Sequence, residues 1–273
     1  MDINPVQQPR PDPSLPLQTP PPPPPPTHEE AAHASLAAIP ESPVPCVTAM
    51  LYVQGISLGD ISQGHIRDCT LQATLASLAR TPEGQAVIRK CIEEAKDPSG
   101  APVYRVSIFT AVSGRFVPFK VDIRASDLTQ PGAFPQVDPT TDAREVWPRV
   151  LEVAMLRANH GVTCCTVPQA FGILTGRTAT DTPTSDSTFE DRLVMGFATK
   201  KVQVLSTTGA FTGDLTKPTT LIADHAYTVV GIIHMSSGTF VALRNPWGYD
   251  DPAPLPIDQI KRYFPTYSEA ALP

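Results

Sequence analysis

Positive charge is in short supply: 21 Lys and Arg stand against 27 Asp and Glu, leaving a net charge of −6 over 273 residues. A nucleic-acid-binding surface normally carries a basic patch or stripe, so this balance argues against one. Apolar runs are short, and none reaches the roughly 18 residues that a membrane-crossing helix needs. The start, Met1-Asp2-Ile3-Asn4-Pro5, lacks the basic opening and apolar core of a Sec-type signal peptide. Cysteines are few and odd in number: Cys46, Cys69, Cys91, Cys164 and Cys165. That set is poor material for a disulfide framework and better suited to reduced thiols. The adjacent Cys164 and Cys165 lack metal-ligand spacing, and packing is their default role. No metal ligand is expected.

Proline is the residue in excess. Fifteen of the 32 prolines precede Cys46, with an unbroken run from Pro20 to Pro26. Such a run is stiff, extended and short of backbone donors, so it cannot join a core. Residues 1–46 read as a disordered or polyproline II tail, serving as a spacer, an export tail or a ligand for a proline-gripping partner. The 41% hydrophobic content is ample for a core beyond it.

Leu71, Leu75, Leu78 and Ala79 follow helical spacing, and Thr81-Pro82-Glu83-Gly84 ends that helix. Val87, Ile88, Cys91 and Ile92 suggest a second one. Val103–Phe109 and Phe116–Val121 alternate about a turn at Ser113-Gly114 and predict a hairpin, with Pro118 marking an edge strand. Val146–Leu156 predicts a helix with proline in its first turn, and a helix-like stretch around Pro168–Leu174 stops at Gly176. Thr178–Thr188 offers little that packs. Residues 201–205, 226–233 and 239–243 read as strands. The expected organisation is a helix-rich part over 47–177, a strand-rich part over 178–268 and a C-terminal tail over 269–273.

Four residues in this frame carry chemistry. Cys69 follows Asp68, a good N-cap, and so opens a helix where free N–H groups and the helix dipole favour a thiolate. Gln63, six residues upstream across Gly64, can return its amide to an oxyanion, an interaction worth about 2.7–4 kcal/mol in the transition state. His225 opens the apolar strand from Ala226. Asn245 ends the strand that follows, held from helical geometry by Pro246. Two adjacent strands can set its amide oxygen against the imidazole N–H, fixing tautomer and orientation. Trp247 is placed to shield that bond from water. Singly, each residue has a plain reading: a buried cysteine, a satisfied histidine, a turn signal. Together they supply a nucleophile, a base and an orienting group.

Gln63-Gly64-x-Ile66-x-Asp68-Cys69-x-Leu71, His225-Ala226-Tyr227-x-Val229 and Leu243-Arg244-Asn245-Pro246-Trp247-Gly248 resemble the cysteine, histidine and asparagine boxes of calpain proteases. Trp147-Pro148-x-x-Leu151-Glu152-x-Ala154 and Leu174-Thr175-Gly176 are similar to the helix and junction between the two calpain core subdomains. The resemblance runs from about Gln54 to Phe264. It implies a papain-like α+β fold with a cleft between a helical and an antiparallel β subdomain, and a cysteine endopeptidase acting on protein substrates through an acyl-enzyme. Catalytic roles fall to Cys69, His225 and Asn245, the oxyanion hole to Gln63, and support to Trp247 and Asp68. Calcium is a candidate cofactor, although Glu93, Glu94, Asp97, Asp138 and Asp142 form no recognisable loop for it. Arg67 and Thr70 depart from the family, which usually has glycine and an aromatic residue there. They motivate the alternative of a catalytically degenerate module that binds a protein partner. A transglutaminase-like acyltransferase shares the Cys-then-His order but would want aspartate at Asn245. A monomer is expected, located in the cytoplasm or exported by a non-Sec route as the resemblance to bacterial effectors implies.

Overall fold

The computed structural model describes residues 49–64, 66–129, 132, 136–137, 144–161, 165–209, 218 and 220–273. The proline-rich tail, with Cys46, lies outside these residues, as do Cys164, Asp138 and Asp142.

The described residues open with β1 (Ala49–Met50) and a 3-10 turn at Leu58–Asp60 before α1 (Cys69–Ala79) and α2 (Pro82–Cys91). The meander β2 (Ile92–Lys96), β3 (Pro102–Val112) and β4 (Arg115–Ile123) follows, then the short β5 (Gln136–Val137) and β6 (Arg144–Glu145). Next come α3 (Trp147–Ala158), α4 (Val167–Thr175), β7 (Thr180–Pro183), α5 (Phe189–Ala198) and β8 (Val202–Ser206). The hairpin β9 (Ala226–Met235) and β10 (Gly238–Arg244) leads to β11 (Leu255–Pro256), α6 (Ile257–Tyr263) and β12 (Thr266–Ala270). The architecture is α+β. One sheet is the antiparallel meander β2-β3-β4, and a six-stranded antiparallel sheet runs β11-β10-β9-β8-β12-β7. A small sheet, β1-β6-β5, pairs β1 and β6 in parallel. No helix among the described residues is long and apolar enough to cross a membrane.

Local chemistry accounts for most boundaries. Thr81 caps α2, accepting from the Gly84 N–H, with Pro82 in the first turn. The segment expected only to end the first helix therefore also starts the second. Gly176 closes α4 in the left-handed conformation, φ 72°, where its N–H reaches the Gly172 carbonyl. Pro118 sits on β4, an edge strand, where a missing donor costs no ladder bond.

Three sequence expectations need correction. The polar stretch over 178–188 contributes β7, because backbone pairing to β12 asks nothing of its side chains. Residues 269–270 belong to β12, with Glu269 and Ala270 buried, so they are no tail. The expected hairpin of β3 and β4 is present but gains a third strand, β2, which starts at Ile92, a residue read as part of the second helix.

The apolar residues form two main cores. One gathers α1, α2, α3 and α4 over β3; the other fills the six-stranded sheet against α5 and α6. Helix α1 lies between them, and every residue from Leu71 to Ala79 is buried. The spacing of Leu71, Leu75, Leu78 and Ala79 marks one buried face, yet both sides are covered. Its polar residues are accordingly bonded: Thr74 Oγ1 donates to the Thr70 carbonyl at 2.7 Å, and Ser77 Oγ accepts the Gln203 N–H at 2.8 Å. Where α1 meets the sheet the contact residues are small, with Ala73, Val167, Val204 and Ala226 forming a third cluster. That close approach lets Thr228 Oγ1 donate to the Ala73 carbonyl at 2.7 Å.

Candidate active site

Cys69 is the first residue of α1, half-buried and packed against the small-residue cluster that includes Ala226. His225 immediately precedes Ala226. Packing of α1 on β9 thus brings the segments that carry Cys69 and His225 together from 156 positions apart in the chain.

The hairpin explains the second pairing. In the antiparallel register Arg244 faces Thr228, so the start of β9 and the end of β10 share one end of the sheet. His225 and Asn245 stand just beyond those ends. His225 Nε2 lies 2.9 Å from Asn245 Oδ1, and Asn245 is wholly buried. The Trp247 N–H donates to the same Oδ1 at 3.1 Å. An atom accepting from a backbone N–H must be the amide oxygen, which fixes the Asn245 rotamer. Nε2 must then carry the proton it donates, leaving Nδ1 as the free lone pair of the neutral ring.

Three bonds tie this end of the sheet to the loop that carries Cys69. The Gln63 N–H donates to the Pro246 carbonyl at 2.7 Å, Ser62 Oγ to the Trp247 carbonyl at 3.2 Å, and Arg244 Nη2 to the Ile61 carbonyl at 3.3 Å. The ring of His225 is walled by Trp247 and Tyr227, with centroids at 5.1 and 5.0 Å. Its backbone is clasped by Thr207: the His225 N–H reaches Thr207 Oγ1 at 3.0 Å, and the Thr207 N–H reaches the His225 carbonyl at 2.8 Å. Asp224, just before, takes a left-handed turn at φ 48°, a conformation that aspartate tolerates better than most residues. Burial lowers the His225 pKa to about 4, opposed by the Asn245 hydrogen bond. Thr207 gave no signal in the sequence, because its role rests on loop geometry 18 residues from His225.

The family profile of calpain family cysteine proteases matches residues 41–252, most of the chain. The chain belongs to the calpain family of cysteine proteases. No curated protein matches it. As a calpain-family member it has protein substrates as its substrate class.

The other predicted residues of this calpain-family site are placed less simply. Gln63 is buried, and its Nε2 already donates to the Ile66 carbonyl at 2.8 Å. One amide hydrogen remains for another acceptor. Asp68 holds the N-cap position of α1, but its side chain makes no cap bond, which corrects the expectation. Its Oδ2 accepts from Gln72 Nε2 at 2.8 Å. Burial and the charge of Glu152 push the Asp68 carboxyl well above the ordinary carboxylate range. Arg67 is exposed, and Thr70 Oγ1 donates to the Cys165 carbonyl at 2.7 Å. In this chain Thr70 thus anchors the segment before α4. Cys165 and Cys91 are buried, and Cys91 is pushed up to about 12 by desolvation, as expected of packing thiols.

Calcium is the ion that the family resemblance raises. Among the described residues no three or more His, Cys, Asp or Glu side chains form a metal cluster. Two buried carboxylates near the start of α3 do suit a hard cation. Asp60 accepts from the Ser57 N–H and Oγ at 2.6 Å and from Trp147 Nε1 at 3.0 Å. Glu145 is raised to about 7, first by burial and then by Asp60, and its Oε1 has no partner among the described residues. An ion taking oxygen ligands would find one unpartnered donor there and relieve the repulsion.

Proposed function

We propose that this calpain-family chain is an endopeptidase in which Cys69 is the nucleophile, His225 the proton shuttle and Asn245 the group that orients it. The observation that carries this reading is the His225 Nε2–Asn245 Oδ1 contact at 2.9 Å, locked by the Trp247 N–H on the same oxygen. With Nε2 committed to Asn245, Nδ1 is the atom available to the thiol. Proton transfer from Sγ to Nδ1 creates a thiolate and an imidazolium. Burial disfavours an isolated imidazolium, so the two charges rise and fall together as a pair.

Thiolate attack on a peptide carbonyl carbon forms a tetrahedral oxyanion, which the Cys69 N–H at the helix start and the remaining Gln63 amide hydrogen stabilise. Collapse breaks the C–N bond while the imidazolium Nδ1 delivers its proton to the departing amine. The resulting thioester is hydrolysed by a water that Nδ1 deprotonates, releasing the acid and restoring the thiol. Were calcium bound, Asp60 and Glu145 would hold it, supplying charge neutralisation away from the reacting atoms.

The test is alkylation of the purified chain across pH with a small thiol-directed peptide mimic, mapped by mass spectrometry on wild type and His225→Ala. Selective labelling of Cys69 well below pH 8, lost in the variant, is expected. Slow labelling spread over several cysteines in both proteins would sink the reading and leave a degenerate cleft that binds a protein partner.

A further inference from the structure

Beneath the start of α1 is a charge arrangement that the proposed chemistry does not use. Asp68 and Glu152 are both fully buried, and Gln72 Nε2 bridges them at 2.8 Å to Asp68 Oδ2 and 3.4 Å to Glu152 Oε1. Arg149, also buried, pairs with Glu152 Oε2 one helical turn away on α3. Gly132 lies against the pair, and any side chain there would overlap Arg149 and Glu152. The two carboxyls are hydrogen-bonded to each other in this buried pocket, with the Arg149 guanidinium on Glu152. If both were ionised, two negative charges would stand in contact out of water, a cost of several kcal/mol. The usual escape for an N-cap aspartate is to accept the first helical N–H groups, but Asp68 makes no such bond. A single shared proton resolves the imbalance, leaving a neutral carboxyl, a carboxylate and a guanidinium.

We propose that Asp68 is a positioning residue kept as a neutral carboxyl, its O–H donated to the Glu152 carboxylate, so that α1 is pinned to α3 without placing negative charge beside Cys69. The reason it matters lies in the next residue. An ionised Asp68 would stand one position from the sulfur and oppose thiolate formation. Neutral, it holds the helix start in place while the dipole of α1 acts on Cys69 unopposed. Among the described residues Arg149 on α3 is the charged group seen on Glu152, and Gln72 is the uncharged bridge. The functional half of this inference rests on Cys69 being the nucleophile. The location of the proton does not.

Infrared difference spectroscopy on the full chain at pH 8, where Glu145 is largely ionised, reads the proton directly. Wild type should show the carbonyl stretch of an un-ionised carboxylic acid, sensitive to deuterium. Asp68→Asn and Glu152→Gln should each lose it, because one remaining carboxyl is balanced by Arg149. No such band in wild type, or the same band in Asp68→Asn, overturns the proposal. Asp68→Asn preserves shape and neutrality, so it decides the matter even if Glu152→Gln does not fold. The second readout is the pH midpoint of Cys69 alkylation. Glu152→Gln, which forces Asp68 to ionise against Arg149, should raise it by about one unit. Asp68→Asn should move it less, and equal midpoints in all three proteins overturn the link to the nucleophile. Failure of Cys69 to label in acid would strike the protease reading alone and leave the band to be judged separately.

Discussion

His225 shows how one side chain's surroundings set both its chemistry and its share of stability. In the folded chain burial holds its pKa near 4, below the ordinary 6.5. Protons therefore bind the unfolded chain first as pH falls. The stabilisation present above pH 6.5 is lost on the way down to about 4, an effect on the order of 3 kcal/mol. Urea unfolding at pH 7.5 and pH 4.5 should show a larger acid loss in wild type than in His225→Gln. Equal losses would mean that the imidazole is solvated or already charged when folded. The His225–Asn245 contact was legible in the sequence, since a histidine before one apolar strand and an asparagine after the next meet at one end of any tight hairpin. Asp68 was not legible. Its turning away from the cap depends on Glu152, 84 positions later, and no local rule reports a carboxyl so distant.

At the scale of elements, α1 belongs to one core and meets the six-stranded sheet through small residues, and its polar residues are ties rather than exceptions. Ser77 Oγ takes the Gln203 N–H of β8 deep inside the fold. Ser77→Ala leaves that donor buried with no acceptor, and should lower unfolding free energy by about 1–3 kcal/mol. Denaturant titration with an unchanged slope checks it; a loss near zero would mean that water or a shift of β8 satisfies the amide. Leucine spacing revealed that α1 is a helix but not that it is covered on every side. Thr74 and Ser77 lie outside the leucine pattern, so their burial shows only when the sheet is seen against them. Helices α5 and α6 and strand β12 escaped the sequence reading for a related reason. Their core residues, among them Phe189, Leu193, Ile260 and Tyr267, are separated by charged or polar positions. Their periodicity emerges only against a partner surface.

Across the whole molecule, Glu145 connects the start of α3 with the loop leading to Cys69 through Asp60, which Trp147 also holds. The fold carries a cost here that depends on pH. Glu145 titrates near 7 when folded against an ordinary 4.5, so the folded chain gains relative to the unfolded one below pH 4.5. That advantage fades as pH rises through 7 and the two carboxylates come to repel each other. A divalent cation seated between them would offset the repulsion where it is strongest. Calcium should therefore raise the melting temperature at pH 8 and much less at pH 5. At a hundred times its dissociation constant the gain is about 2.7 kcal/mol, or about 5–10 °C for a domain of this size. Glu145→Gln should by itself raise the melting temperature at pH 8 in calcium-free buffer and should abolish the calcium response. A calcium shift of equal size in wild type and variant would place the ion elsewhere. No shift in either would make the Asp60–Glu145 pair a purely internal strain, relieved only by a proton.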